Sequence, residues 1–215
     1  MNTDAPLRLY LVRHGETAQN VDMRYLGLGD APLNERGRRQ ALRVAEALAR
    51  IPLRRIVSSP LGRAAETAAA VAAGSGVELR TDARLAEGSF GSWEGRTRGE
   101  VLALGPADAA LLGRWEADPS VAPPGGESFT EVQRRVTGLA DELAREFPGG
   151  AVALVSHVGP IKALAAAVLG VPLTAARRLF LDPGTISVVE WGPRPLLRLF
   201  NSHAHLGWTS ARWMR

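Results

Sequence analysis

No cysteine occurs among the 215 residues, so disulfides, thiolate metal sites and a cysteine nucleophile are all excluded. Lysine is nearly absent: of 26 basic residues only Lys162 is lysine, and the rest are arginine. Aromatic residues are few, at 6%. The arginines stand in ones and twos (Arg38-Arg39, Arg54-Arg55, Arg134-Arg135, Arg177-Arg178) with little aromatic character between them, so no nucleic-acid partner is expected. Long apolar runs are missing too; the longest, the alanine-rich stretch near 163–169, is far shorter than a membrane span, and no membrane partner is expected. Asp4 and Pro6 precede the first apolar segment without a basic-then-apolar leader, which makes the cytoplasm the expected location. Asp-x-Asp pairs, a Gly-x-Ser-x-Gly elbow and a Walker lysine setting are also absent.

What is present is a 46% hydrophobic chain of a length suited to one substantial core. A single domain over 1–215, with its core at about 7–206, is the expectation. The net charge of +4 fits a small anionic substrate. Residues 7–12 alternate and then run apolar as a buried strand does, and Arg13-His14-Gly15 follows at once. In open α/β sheets, strand ends of this kind bind ligands. Arginine grips an oxyanion with two parallel donors, and an oriented neutral imidazole is a nucleophile.

The pattern recurs along the chain. Residues 54–58 read as a strand, with Ser59 as cap and Pro60 in the first turn of a helix that carries Arg63. Residues 151–155 read as a central parallel strand ending on Ser156-His157 before another helix. Between them, Glu87 and Glu94 lie in the glycine-rich run Glu87-Gly88-Ser89-Phe90-Gly91-Ser92-Trp93-Glu94-Gly95, where residue type alone does not tell them apart. Asn34 caps a helix with Ala41, Val44, Ala45 and Leu48 on one face, and Ser128 with Glu131 forms a capping box for the surest helix. Residues 94–118 read as short helices broken at Gly105-Pro106, and 118–126 as a loop. Trp115 reads first as core. Residues 185–191 and 196–200 read as an antiparallel hairpin across Gly192-Pro193. His203 and His205 make poor evidence for a metal without a third ligand. The tail with Trp208, Arg212 and Trp213 packs on the domain or frays.

Arg13-His14-Gly15-Glu16-Thr17 with Asn20, Ser58 to Ala64 with Thr67-Ala68, the Gly-Ser-Trp-Glu-Gly run after Glu87, and Ser156-His157-Val158-Gly159 together resemble the histidine phosphatase superfamily, the phosphoglycerate mutase-like proteins. The resemblance spans Leu7 to Leu206. It implies an α/β three-layer sandwich, a mostly parallel central sheet with helices on both faces. It implies His14 as nucleophile, Glu87 as proton donor, and Arg13, Arg63 and His157 as phosphoryl ligands. Thr17, Asn20, Gly27 and Val158 are then candidate substrate contacts, while Gly27 and Gly29 equally fit an ordinary turn. Glu94 is left as a helix-start residue. No metal and no cofactor is implied.

The implied activity is metal-independent hydrolysis of a small phosphomonoester through phosphohistidine. Mutase-type transfer and a non-catalytic phospho-ligand binder are the alternatives. Hydrolysis is favoured over transfer because the basic insertion of family mutases is missing between Glu87 and His157. The motifs look closest to α-ribazole phosphatase-like and acid phosphatase members, with α-ribazole 5'-phosphate as one candidate substrate. A homodimer is left open.

Overall fold

In the computed structural model, residues 5–208 and Ala211 are described. Asp4, Arg212 and Trp213 lie outside them. The elements run in order β1 (Leu7–Arg13), α1 (Ala18–Val21), α2 (Glu35–Leu48), β2 (Arg55–Ser58), α3 (Gly62–Ser75), β3 (Leu79–Thr81), α4 (Arg98–Leu102), α5 (Pro106–Ala117), α6 (Phe129–Glu146), β4 (Ala151–Ser156), α7 (Val158–Leu169), β5 (Ile186–Trp191) and β6 (Leu196–Ser202). Single 3-10 turns occupy Ala83–Leu85 and Gly91–Trp93, and a longer one Leu173–Arg178.

Strand alternation sorts the core into two layers. Leu7, Leu9 and Leu11 of β1 and Val152 and Leu154 of β4 pack with Val132, Val136 and Leu139 of α6 and Ile161 and Leu164 of α7. Val12, Ile56, Ala153 and Val155 face the other way, onto Val44 and Leu48 of α2 and Ala64, Ala68 and Val71 of α3. A fully buried Leu or Val contributes roughly 1.5–3 kcal/mol, against about 1 kcal/mol for a helix cap. The apolar stripes therefore hold α2 and α6 in place, and the caps set where they begin. The Asn34 carboxamide oxygen accepts from Gly37 N–H at 2.8 Å, and Ser128 and Glu131 close the expected capping box.

The sheet order is β3-β2-β4-β1-β5-β6, with the first four strands parallel and the β5–β6 hairpin antiparallel at one edge. This is the three-layer α/β architecture read from the sequence. A third, small cluster of Trp93, Val101 and Leu112, flanked by Tyr25, Phe90 and Trp115, forms outside the sandwich. None of the described helices is long and apolar enough to cross a membrane.

Two local expectations fail. Ser59 does not cap α3, which begins at Gly62 after an N-cap Leu61 that has no side-chain bond. The Ser59 hydroxyl is instead taken by Leu61 N–H (3.2 Å) and the His157 ring (2.8 Å). Glu94 starts no helix: it follows the 3-10 turn, and Thr97 caps α4. Backbone N–H groups from two loops claim its carboxylate.

Candidate active site

Because β2, β4 and β1 are neighbours in register, with Ser58 opposite Val155 and Arg13 opposite Ser156, their carboxyl ends meet at one edge. That places Arg13-His14, Ser59 and His157 side by side. Gly15 is required for its small size: a Cβ there would lie 2.3 Å from the Gly37 carbonyl oxygen, so any larger residue would lift α2 off the strand end.

His14 is 3% exposed, and its Nδ1 lies 2.7 Å from the Gly15 carbonyl oxygen. A carbonyl can only accept, so Nδ1 carries the proton and Nε2 keeps its lone pair. Burial, then the charges of Arg13 and Arg63, hold the His14 pKa well below the ordinary imidazole value. The ring is therefore neutral at pH 7 and nucleophilic at Nε2. His157 lies against it with ring centroids 5.0 Å apart. Burial first, then His14, Arg63, Arg13 and Arg135, push its pKa well down too. Ser59 Oγ accepts from Leu61 N–H, which directs its own proton to His157 Nε2 and leaves the imidazole proton on Nδ1. Among the described residues Nδ1 has no hydrogen-bond partner.

Arg63 is 1% exposed. Its Nη1 and Nη2 donate to the carbonyls of Gly29 and Gly27, each at 2.8 Å, while its buried Nε has no partner among the described residues. Arg13 Nη1 donates to the Leu181 carbonyl at 2.6 Å. Both guanidiniums are thus fixed by backbone oxygens. The 26–29 turn is pinned from its other side by Glu94, whose carboxylate accepts from Leu28, Gly29 and Phe90 N–H at 3.0, 3.1 and 3.1 Å. Gly27 sits at φ +54, and a Cβ on it would fall 2.0 Å from Glu94 Oε1.

Glu87 hangs from the loop after the Ala83–Leu85 turn. Its Oε1 accepts from Gly88 N–H (2.9 Å) and from Gly159 N–H (3.0 Å) in the first turn of α7. Ser156 Oγ donates to the Leu85 carbonyl at 2.6 Å. Arg135 of α6 donates through Nη1 to the carbonyls of Arg84 and Ala86 at 2.6 and 2.7 Å. It also forms two 2.8 Å bonds to Glu127. Glu127 N–H donates to the Ser89 carbonyl at 2.9 Å, so the loop that carries the acid is tied on both sides of it.

A cavity of about 150 Å³ is lined by Arg13, His14, Asn20, Gly27, Arg63, Glu87 and Val158 together with Arg24, Tyr25, Leu26 and Phe90. Thr17 is not in that lining. It is fully buried and caps α1, its hydroxyl accepting from Asn20 N–H at 3.3 Å. His157 lies behind His14 rather than on the cavity wall. His203 and His205 turn away from the cavity to Asp182 (2.9 Å) and the Gly184 carbonyl (2.8 Å), bracing the loop whose Leu181 carbonyl holds Arg13. Sequence reading missed Arg135 and the stapling role of Glu94. Nothing local signals the first, since its partners lie 8, 49 and 51 residues away.

Residues 9–201 match the model of the histidine phosphatase superfamily, branch 1. The bifunctional protein Rv2228c of Mycobacterium tuberculosis is 41% identical over 187 residues, which are 86% of this chain and 50% of that protein. The chain thus spans about half the length of that relative. Phosphoserine phosphatase 1 of Hydrogenobacter thermophilus is 37% identical over 204 residues, covering 94% of this chain and 95% of the relative. The crystal structure of the α-ribazole phosphatase from Shigella flexneri superposes with a TM-score of 0.81 at 31% identity, over 92% of this chain and 97% of that one.

Proposed function

Since the chain belongs to the histidine phosphatase superfamily, we propose that it hydrolyses a small phosphomonoester through a phosphohistidine on His14. The observation that carries this reading is the His14 Nδ1 contact with the Gly15 carbonyl, which leaves a neutral Nε2 beside two backbone-anchored arginines and the Glu87 carboxyl group.

His14 Nε2 attacks phosphorus and the ester P–O bond breaks. Glu87 gives its proton to the departing oxygen, so the alcohol leaves neutral. Arg13 and Arg63, which line the cavity, meet the nonbridging oxygens as negative charge grows, while His157 packs behind His14 and steadies its ring; the arginines are already in place, so little reorganisation is required. Water then attacks phosphorus from the vacated side, Glu87 takes its proton, and the N–P bond breaks to give inorganic phosphate and free His14. The imidazole keeps its Nδ1 proton on the Gly15 carbonyl throughout. Positive charge comes from arginine, so the reaction requires no metal.

The test is phosphate release in excess EDTA from 4-nitrophenyl phosphate, O-phosphoserine, 3-phosphoglycerate and α-ribazole 5'-phosphate. Turnover by the wild type that falls by about 10⁴-fold or more in His14→Ala supports the reading. Turnover that survives in His14→Ala refutes it.

A further inference from the structure

A second cavity, of about 230 Å³, opens beside the first and shares Glu87, Phe90 and Val158 with it. On the phosphatase reading, Glu87 protonates the leaving oxygen, so the group that leaves must extend past Glu87 into this second space. Its walls are largely apolar: Phe90, Trp115, Phe129 and Val132. Two cations interrupt them, Lys162 and Arg177.

Arg177 is held as a rigid plate. Its guanidinium lies 4.3 Å from the centroid of the Trp115 ring, and Nη2 donates to the Trp115 carbonyl at 2.5 Å. Its Nε is buried with no hydrogen-bond partner among the described residues. Lys162 stands four residues after Val158 on α7, one turn further along the same face. It is half-buried and makes no ion pair with any described residue. The carboxylates nearby are already engaged: Glu127 by the two bonds from Arg135, and Glu87 by Gly88 and Gly159 N–H. A half-buried cation without a counter-ion is costly, and an anionic ligand group removes that cost. The chain's only lysine is the one in this cavity.

Resting on that reading of the site, we propose that the second cavity selects phosphomonoesters whose leaving alcohol has a flat, apolar body ending in a carboxylate, bound by Lys162 and Arg177. The aromatic walls take the body. A carboxylate accepts from the guanidinium and from the ammonium at the same time.

The groups that set the charge of Lys162 are Arg13 from β1, Arg177 from the 3-10 turn and Glu87 from its loop. Burial, then Arg13, lower its pKa, with Glu87 opposing and Arg177 adding, to about 8. The cation therefore dominates below that pH, and the preference for a carboxylate fades above it.

The experiment compares 4-carboxyphenyl phosphate with 4-carbamoylphenyl phosphate, which have nearly the same shape. The wild type at neutral pH favours the carboxylate by about tenfold or more in kcat/KM, the gain of one charge-assisted bond. The ratio drops to about twofold or less in Lys162→Met, and it falls in the wild type as the pH rises past about 8. The pH arm requires no variant, so a poorly folding Lys162→Met leaves the proposal exposed to refutation. Equal kcat/KM for the two esters, or a preference that persists in Lys162→Met or far above that pH, overturns the selectivity while the phosphatase stands. If neither ester is turned over, the phosphatase reading is decided by the four esters named above, and calorimetric Kd values for both esters on His14→Ala decide the subsite. A tenfold tighter carboxylate supports it, and equal affinities refute it.

Discussion

The phosphate floor and the aromatic cavity meet at Glu87, Phe90 and Val158, yet they are assembled by different means. The floor consists of the β1 strand end and the first turn of α3, and its side chains are anchored by backbone: His14 by Gly15, Arg13 by Leu181, Arg63 by Gly27 and Gly29. The cavity opens between α6 and α7 and the small cluster outside the sandwich, where Tyr25, Phe90, Trp93 and Trp115 pack ring against ring at 4.9–5.9 Å. Groups that must meet a developing charge within tenths of an ångström are held by the rigid sheet. Groups that select a carbon skeleton are carried on helix faces and loops, where a side chain can change without moving the register of the sheet.

If the floor does the chemistry and the cavity does the choosing, substitutions should rank accordingly. After His14→Ala, the largest loss belongs to the seam. Glu87→Gln should lower kcat/KM, which reports the steps up to departure of the alcohol, by about 10²–10⁴-fold on an alkyl phosphate. The loss should be much smaller on 4-nitrophenyl phosphate, whose leaving oxygen needs no proton. Equal losses on both would assign Glu87 to binding instead.

Arg135→Met tests whether the seam is positioned from behind. Its bonds to the carbonyls of Arg84 and Ala86 are lost, and kcat should fall by roughly tenfold with KM little changed. In a Glu87→Gln background the same change should cost almost nothing more. An additive loss would separate Arg135 from the acid.

The smallest effect is on stability and belongs to the floor alone. His14 and His157 are buried with lowered pKa values, so below about pH 6.5 the unfolded chain binds protons that the folded chain refuses. Stability should rise with pH through that region, and fall on acidification by up to about 1.4 kcal/mol per pH unit for each histidine. His157→Gln should flatten the slope of Tm against pH between about 5 and 7. An unchanged slope would show that the ring takes up its proton alike in the folded and the unfolded chain.

Much of this was legible before any tertiary contact was known, because the features are local. Alternation in 7–12 and the continuous apolar run of 151–155 mark strands that the structure realises as β1 and β4. Asn34 and the Ser128–Glu131 pair mark helix starts because a cap bonds only its own first turn. Ser59 and Glu94 depart from the local pattern for the same reason turned round. Each has the chemistry of a helix start, but a distant partner took its oxygen first: the His157 ring 98 residues away, and Leu28 N–H 66 residues away. Trp115 reads first as core packing, and its half-buried ring both packs against Trp93 and lines the cavity.

The sequence by itself determined the alternation of strands and helices, the residue types at each strand end and, through one-residue registers, which faces are apolar. These follow from covalent neighbours and from periods of 2 and 3.6 residues. Only the tertiary structure decided which strand ends become neighbours, which carbonyl holds each guanidinium, and that the single lysine faces the same cavity as Trp115 and Arg177. Those contacts join residues tens to more than a hundred positions apart, and a hydrogen bond or stacking contact depends on distances of a few ångströms that no local pattern encodes.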